Sequence, residues 1–246
     1  MDLFRQKIII LLIAFFYSAV PNAQDRQYFS EMPLFINGQD GYACYRIPAI
    51  IQAPNGDVLA FAEGRVNGCS DFGNVDIVMK RSPDNGLSWS DLYLIVDNGK
   101  LQAGNPAAVV DELDPQFKDG RIFLFYNTGT ASEHDNRLGK GVREVWYITS
   151  TDNGANCSSP ENITASVHRI NRPEYNSAYS NKEDWRSYAN TPGHAIQLKK
   201  PPFRGRLFVP ANHSEGEPKQ GFNEYRAHAF FSDDYGKTWQ LSESVD

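Results

Sequence analysis

Three runs of eight residues constrain this chain more than any other feature: Ser82-Pro83-Asp84-Asn85-Gly86-Leu87-Ser88-Trp89, Ser150-Thr151-Asp152-Asn153-Gly154-Ala155-Asn156-Cys157 and Ser232-Asp233-Asp234-Tyr235-Gly236-Lys237-Thr238-Trp239. Each reads Ser-x-Asp-x-Gly-x-x-Trp, with Cys157 in the tryptophan position of the second copy. The pattern has a physical logic. An aspartate accepts bonds from backbone N–H groups a few residues on, a glycine takes the positive φ of a tight hairpin, and an aromatic turns back into the core. A turn repeated at intervals of some tens of residues signals radially repeated β-structure.

The segments between these turns agree. Short runs rich in β-branched and aromatic residues occur at Ala49–Gln52, Val58–Ala62, Ile77–Arg81, Leu92–Val96, Arg121–Tyr126, Val145–Ser150, Leu207–Ala211 and Ala227–Ser232. Pro54-Asn55-Gly56-Asp57 is a hairpin signal between the first two. No stretch sustains a helical apolar period over three turns. The chain is therefore read as all-β. Arg169–Asn190, polar, aromatic and proline-containing, reads as a loop insertion.

Met1–Lys7 carries positive charge, Ile8–Val20 is almost wholly apolar, and Pro21-Asn22-Ala23 is a small-residue exit. Residues 1–23 are read as an export signal cleaved after Ala23, an uncleaved anchor being the alternative. The rest, 24–246, is read as one domain. Export implies a secreted or periplasmic protein, or a lysosomal or extracellular one in a eukaryote. A net charge of −6 with no basic block argues against nucleic acid as a partner.

Several chemistries lack their signature. His194 and His213 have no ligand spacing for a metal, and Ser187 and Ser214 lack the Gly-x-Ser-x-Gly context of a serine hydrolase. There is no glycine-rich phosphate loop, and no cofactor is expected. Arg46 and Arg65 adjoin apolar strand residues, and Asp71 lies in a short polar loop. On the residues alone, surface salt bridges and a turn-capping role for Asp71 remain open.

Four further stretches make a family resemblance specific: Tyr45-Arg46-Ile47-Pro48, Phe61-Ala62-Glu63-Gly64-Arg65, Gly68-Cys69-Ser70-Asp71 with Asp76-Ile77-Val78, and Pro192-Gly193-His194-Ala195-Ile196-Gln197-Leu198. With the three box turns, in this order, the chain from about residue 42 onward resembles the exo-α-sialidases (neuraminidases). The resemblance implies a six-bladed β-propeller that releases terminal sialic acid from glycoproteins, glycolipids or oligosaccharides with retention. It assigns Asp71 as acid/base and Arg46 and Arg65 as holders of the substrate carboxylate. The planar donor fork of arginine suits that anion. Asn105, Glu133 and Tyr188 are further substrate-binding candidates, Asp76 is read as structural, and the Pro192–Leu198 run is expected to border the pocket. If Cys44 and Cys69 flank one site they form the pair, with three reduced cysteines as the open alternative.

Roughly 220 residues remain after signal removal, room for about four blades of ~45–60 residues. The chain is accordingly expected to be the N-terminal portion of a longer enzyme. It would then lack the family's tyrosine nucleophile, its assisting glutamate and the later arginines, and show little activity alone. The competing reading is a non-catalytic box-bearing propeller that binds glycan or protein.

Overall fold

The structure is a computed structural model that describes residues 29–173, 183–190, 193–219 and 222–245. The segment read as an export signal lies outside the described residues. The chain separates into Met1–Pro33 and Leu34–Asp246, and every strand belongs to the second unit.

The box turns repeat almost atom for atom. In each, the serine hydroxyl donates to the aspartate at 2.8 Å and accepts from the glycine N–H at 2.7, 2.8 and 2.7 Å. The aspartate also accepts from the backbone N–H of Ser88, Asn156 or Thr238 at 2.8, 2.9 and 2.9 Å. Hydrogen bonds from the Ser88 side chain and N–H hold the Asp84 carboxyl below its usual range, and those from the Asn156 N–H and amide hold Asp152 at about 2. Not only the glycines but also Asn85, Asn153 and Tyr235 before them have positive φ, 57° to 59°. Two left-handed residues in succession match the twist of the flanking strands.

Each turn closes an antiparallel blade, of four strands in the first two and five in the third. The first is β1 (Cys44–Gln52), β2 (Val58–Arg65), β3 (Val75–Ser82) and β4 (Tyr93–Val96), paired in sequence order. The second is β5 (Gln102–Asp111), β6 (Arg121–Gly129), β7 (Arg143–Ser150) and β8 (Glu161–Asn162). In the third, β9 (Trp185–Asn190) and β10 (Ile196–Gln197) both pair with β11 (Leu207–Lys219), followed by β12 (Phe222–Ser232) and β13 (Gln240–Leu241). A single parallel pair, Val75 with Gln102, joins the first two blades into one eight-stranded sheet. No closed sheet forms among the described residues.

Strand β6 shows why the blades stack face to face. Successive side chains on a strand point to opposite faces. Ile122, Leu124 and Tyr126 enter the core against Leu59, Phe61, Ile77 and Met79 of the first blade. Phe123 and Phe125 enter the core against Phe230 and Trp239 of the third, with the Phe125 and Trp239 rings 5.0 Å apart and nearly perpendicular. The box tryptophan of one blade thus seals the seam with the blade before it. Where Cys157 replaces it, the seam holds an apolar slot lined by Leu59, Phe61, Met79, Leu124 and Ile148.

The described strands make three blades where the length arithmetic leaves room for about four; residues 112–120, 130–142 and 163–173 go to connections rather than strands. The reading of Arg169–Asn190 as a loop is corrected in part. Trp185–Asn190 is strand β9, with Trp185, Ser187, Tyr188 and Asn190 buried. Its polar composition disguises a strand whose polar residues face inward. Strand β5 escapes sequence reading because Gly104, Asn105, Pro106 and three alanines break the β-branched pattern.

Candidate active site

The box turns and the chemically distinctive residues lie at opposite strand ends. Strand β7 begins with Arg143 and ends with the box serine Ser150, about 23 Å away at ~3.3 Å per residue. At the Arg143 end, Arg46, Glu63, Arg65, Asp71, Gln102, Asn105, Glu133, Arg143, Ser187 and Asn212 contribute to one cleft of 270 Å³.

The innermost strands reach it by breaking their own ladders. The β1–β2 register shifts between Arg46 and Ala49, and Ile47 has φ 55°. The β5–β6 register shifts between Gly104 and Ala107, and Asn105 has φ 54°. Each left-handed residue precedes a proline, Pro48 or Pro106. For a β-branched residue this backbone costs of order 1–3 kcal/mol, strain characteristic of sites. Such bulges re-aim side chains next to active sites. Here they leave Arg46 half-exposed at the mouth and release the Asn105 N–H to donate to Glu63 Oε1 at 2.9 Å.

Glu63 and Arg65 alternate on β2, so both point to the same face. Both are almost fully buried. Arg65 donates to Glu63 Oε2 through Nε and Nη2 at 3.0 and 2.6 Å, and its Nη1 donates to Asp71 Oδ1 at 2.7 Å and the Cys69 carbonyl at 2.6 Å. Arg46 Nη1 reaches the same Asp71 oxygen at 3.5 Å. Because both guanidinium groups touch one atom, they lie well within the ~12 Å that a small carboxylate can bridge. The Cys44–Cys69 disulfide, with Cα atoms 5.2 Å apart, ties the Asp71 loop to the start of β1. That closes the question of three reduced cysteines; Cys157 is free and exposed.

Among the remaining sequence candidates, Asn105 and Glu133 line the cleft, Glu133 being 43% exposed. Tyr188 also lines the cleft, and its ring is buried 4.7 Å from the His168 ring and 5.0 Å from His228. Asp76 is structural, accepting from the buried Tyr42 hydroxyl at 2.8 Å. The described part of the Pro192–Leu198 run, expected to border the pocket, starts beside the cleft and leads away from it. Gly193 donates to the Pro106 carbonyl, whereas Gln197 reaches Asp111 Oδ1 at 2.5 Å at the box end of β5. An extended strand carries its two ends to opposite faces of the blade.

Sequence reasoning misses Glu63 as a partner, Gln102, Arg143, Asn212 and Tyr225. Arg143 Nη1 donates to Gln102 Oε1, and Nη2 lies 3.6 Å from Glu133 Oε2. Burial pushes the Arg143 guanidinium below its ordinary pKa, against the opposing pull of Glu133, Glu63 and Asp71. Its one legible signal is a charged residue opening a strand whose other end is a box turn. Among the described residues no histidine, cysteine and carboxylate cluster could hold a metal, and no helix is long and apolar enough to cross a membrane.

Three blades closed by box turns, with an arginine–carboxylate cleft at the opposite strand ends, define a fold of the β-propeller type with its candidate site at one end of the blades. Residues 46–246 match the BNR repeat-like domain, and the chain belongs to that family. It is 30% identical over 233 residues to the sialidase of Micromonospora viridifaciens, covering 88% of this chain and 32% of that protein. It is 29% identical over 245 residues to the exo-alpha-sialidase of Aspergillus fumigatus, covering 86% and 55%. Its fold superposes on a Hadza microbial sialidase with a TM-score of 0.67 at 22% identity, over 85% of this chain and 39% of that one. The resemblance to exo-α-sialidases and the propeller fold it implies both stand. The chain spans between a third and a little over half of the length of these relatives.

Proposed function

We propose that this chain forms the sialic-acid-binding wall of a secreted, retaining exo-α-sialidase. The observation that carries the reading is the convergence of Arg46 and Arg65 on a single oxygen of Asp71 at the mouth of the cleft. Formal charges in the cleft balance: Arg46, Arg65 and Arg143 against Glu63, Asp71 and Glu133. An anionic ligand must therefore displace an internal partner. The weakest of these links is Arg46–Asp71, long and with both side chains at least half exposed. The carboxylate on the anomeric carbon of a sialoside would take Arg46, and Asp71 would turn to the glycosidic oxygen beside it. There, having taken up a proton from solvent on leaving Arg46, it would give that proton to the departing oxygen, and the resulting carboxylate would later take one from the attacking water. Arg65, locked by Glu63, stays as a fixed charge. In retaining sialidases a tyrosine serves as nucleophile; on the family resemblance it is not among the residues assigned in this chain, so turnover by the chain alone is expected to be slight. Export rests on the Met1–Ala23 segment.

The test pairs calorimetric binding of N-acetylneuraminic acid with hydrolysis of a sialoside whose leaving group needs protonation. Arg46→Ala is expected to weaken binding at least tenfold, the value of a lost charge-assisted bond. Wild-type affinity in Arg46→Ala, or no binding by the wild type at millimolar sugar, would sink the assignment. Tight binding with no turnover in a longer natural form would favour a glycan-binding propeller instead.

A further inference from the structure

Arg143 is the one cation of the cleft that the sialidase resemblance leaves without a role. It opens β7 beneath the cleft, and its side chain is 5% exposed. Two glycines make room for this buried polar layer. A Cβ on Gly129, its cross-strand neighbour, would come within 2.9 Å of Arg143 Nη1. A Cβ on Gly104 would come within 2.4 Å of Glu63 Oε1 and 2.8 Å of Gln102 Nε2. Neither glycine has positive φ, so each is there for space.

The partners of Arg143 are weak for a buried cation. Arg65 has two ionised carboxylates, buried Glu63 and exposed Asp71, whereas Arg143 has the neutral Gln102 amide and, at 3.6 Å, the half-exposed Glu133. Burying a charge is costly unless it is paired. This pairing need therefore draws Glu133 inward. The other carboxylate oxygen of Glu133 accepts from the Tyr225 hydroxyl of the third blade at 3.2 Å. Glu133 sits in the first turn of the short helix Glu133–Arg137, capped by Ser132. Its backbone is thus set by the second blade and its side chain is held between the second and the third. Burial and the Glu133 charge raise the Tyr225 phenol, the direction that keeps it a donor rather than a nucleophile.

We infer that Arg143 is a positioning residue: with Tyr225 it holds the Glu133 carboxylate across the cleft, where its free lone pairs accept from a hydroxyl or amide N–H of the bound sugar. An ionised carboxylate offers about four acceptor sites, and Arg143 and Tyr225 occupy two. This inference rests on the reading of the cleft as a sialoside site. Arg46 and Arg65 then recognise the anion of the ligand, and Glu133 recognises its donors on the opposite wall.

The experiment combines crystal structures of the ligand-free chain with N-acetylneuraminic acid titrations, for wild type, Arg143→Met, Arg143→Lys, Glu133→Gln and the Arg143→Met/Glu133→Gln double variant. In Arg143→Met, Glu133 is expected to leave Tyr225; in Arg143→Lys it stays. Affinity is expected to fall about tenfold in Arg143→Met and in Glu133→Gln, the value of one hydrogen bond to a charged group. Most of it returns in Arg143→Lys. The double variant is expected to bind within twofold of Glu133→Gln alone, because one residue acts through the other. Losses that multiply, or a Glu133 unmoved in Arg143→Met, would overturn the role. Should Arg143→Met fail to fold, Arg143→Gln carries the same measurements. If the wild type does not bind the sugar, the functional reading fails, while the Glu133–Tyr225 distance in the variants still decides the positioning role.

Discussion

Replacing His168 by phenylalanine should make the protein less sensitive to acid. Three histidines are buried in the third blade and its approach: His168, His213 on β11 and His228 on β12. The His213 ring stacks on Trp185 at 3.5 Å. Its Nε2 faces Glu215 at 3.1 Å and its Nδ1 faces His228 Nδ1 at 3.0 Å. A carboxylate accepts, so His213 carries its proton on Nε2 and His228 donates from Nδ1. That leaves His228 Nε2 without a protein partner, as are both ring nitrogens of His168. The charges facing the cluster are Glu215, Arg226 and Arg169, the last lying over the Trp185 ring. Burial and the neighbouring histidines push His168 and His228 down to about 3. Burial also lowers His213, but Glu215 pulls it back. A depressed folded-state value means that the unfolded chain binds more protons. The stability carried by the neutral rings is therefore complete above the unfolded value of ~6.5 and is lost as pH falls toward 3. Each such proton gives a slope of about 1.4 kcal/mol per pH unit. His168 and His228 together give about 3 kcal/mol per unit, hence about 4 kcal/mol lost by pH 5, a large part of an ordinary domain's stability. His168→Phe keeps the ring contact with Tyr188 and removes two unpaired nitrogens. The slope should halve, with no loss of stability at pH 7.5. Urea unfolding followed by tryptophan fluorescence from pH 5 to 7.5 measures it. An unchanged slope in His168→Phe would refute the assignment of the acid sensitivity to this cluster.

Removing the Cys44–Cys69 disulfide by a double serine substitution is expected to cost about 3.5 kcal/mol, the entropy of a loop of this length, measured by urea unfolding under non-reducing conditions. Thiol titration of the folded, unreduced chain should find one cysteine, Cys157. Ser150→Ala takes a buried hydroxyl from Asp152 and the Gly154 N–H and should destabilise by about 1–3 kcal/mol in the same assay. Cys157→Trp restores the box pattern and seats an indole in the apolar slot against Leu59 and Met79; the melting temperature should rise by several degrees, and a fall would mean that the slot cannot open.

What the sequence by itself determined is what short-range physics writes into short segments. The box turns are legible because one serine, one aspartate and one glycine within eight residues supply every bond the turn needs. Most long strands are legible because β-branched and aromatic residues cluster in them. Arg46, Arg65 and Asp71 are legible because each lies inside a contiguous motif. Tertiary structure decided the rest. Gln102, Glu133 and Arg143 lie in separate segments that the folding of the second blade brings together, and Tyr225 reaches Glu133 only because the third blade packs against the second; none of these contacts has a periodicity along the chain. Tyr188 packs its ring on His168 and His228 because β9 presents its buried side to the histidine cluster. The inward polar residues of β9 and the alanine- and proline-bearing β5 hide their strands from propensity, since burial between neighbours, not intrinsic preference, makes them strands. Local hydrogen bonding leaves a signature in composition and spacing; packing between distant segments depends on where the backbone has already carried them.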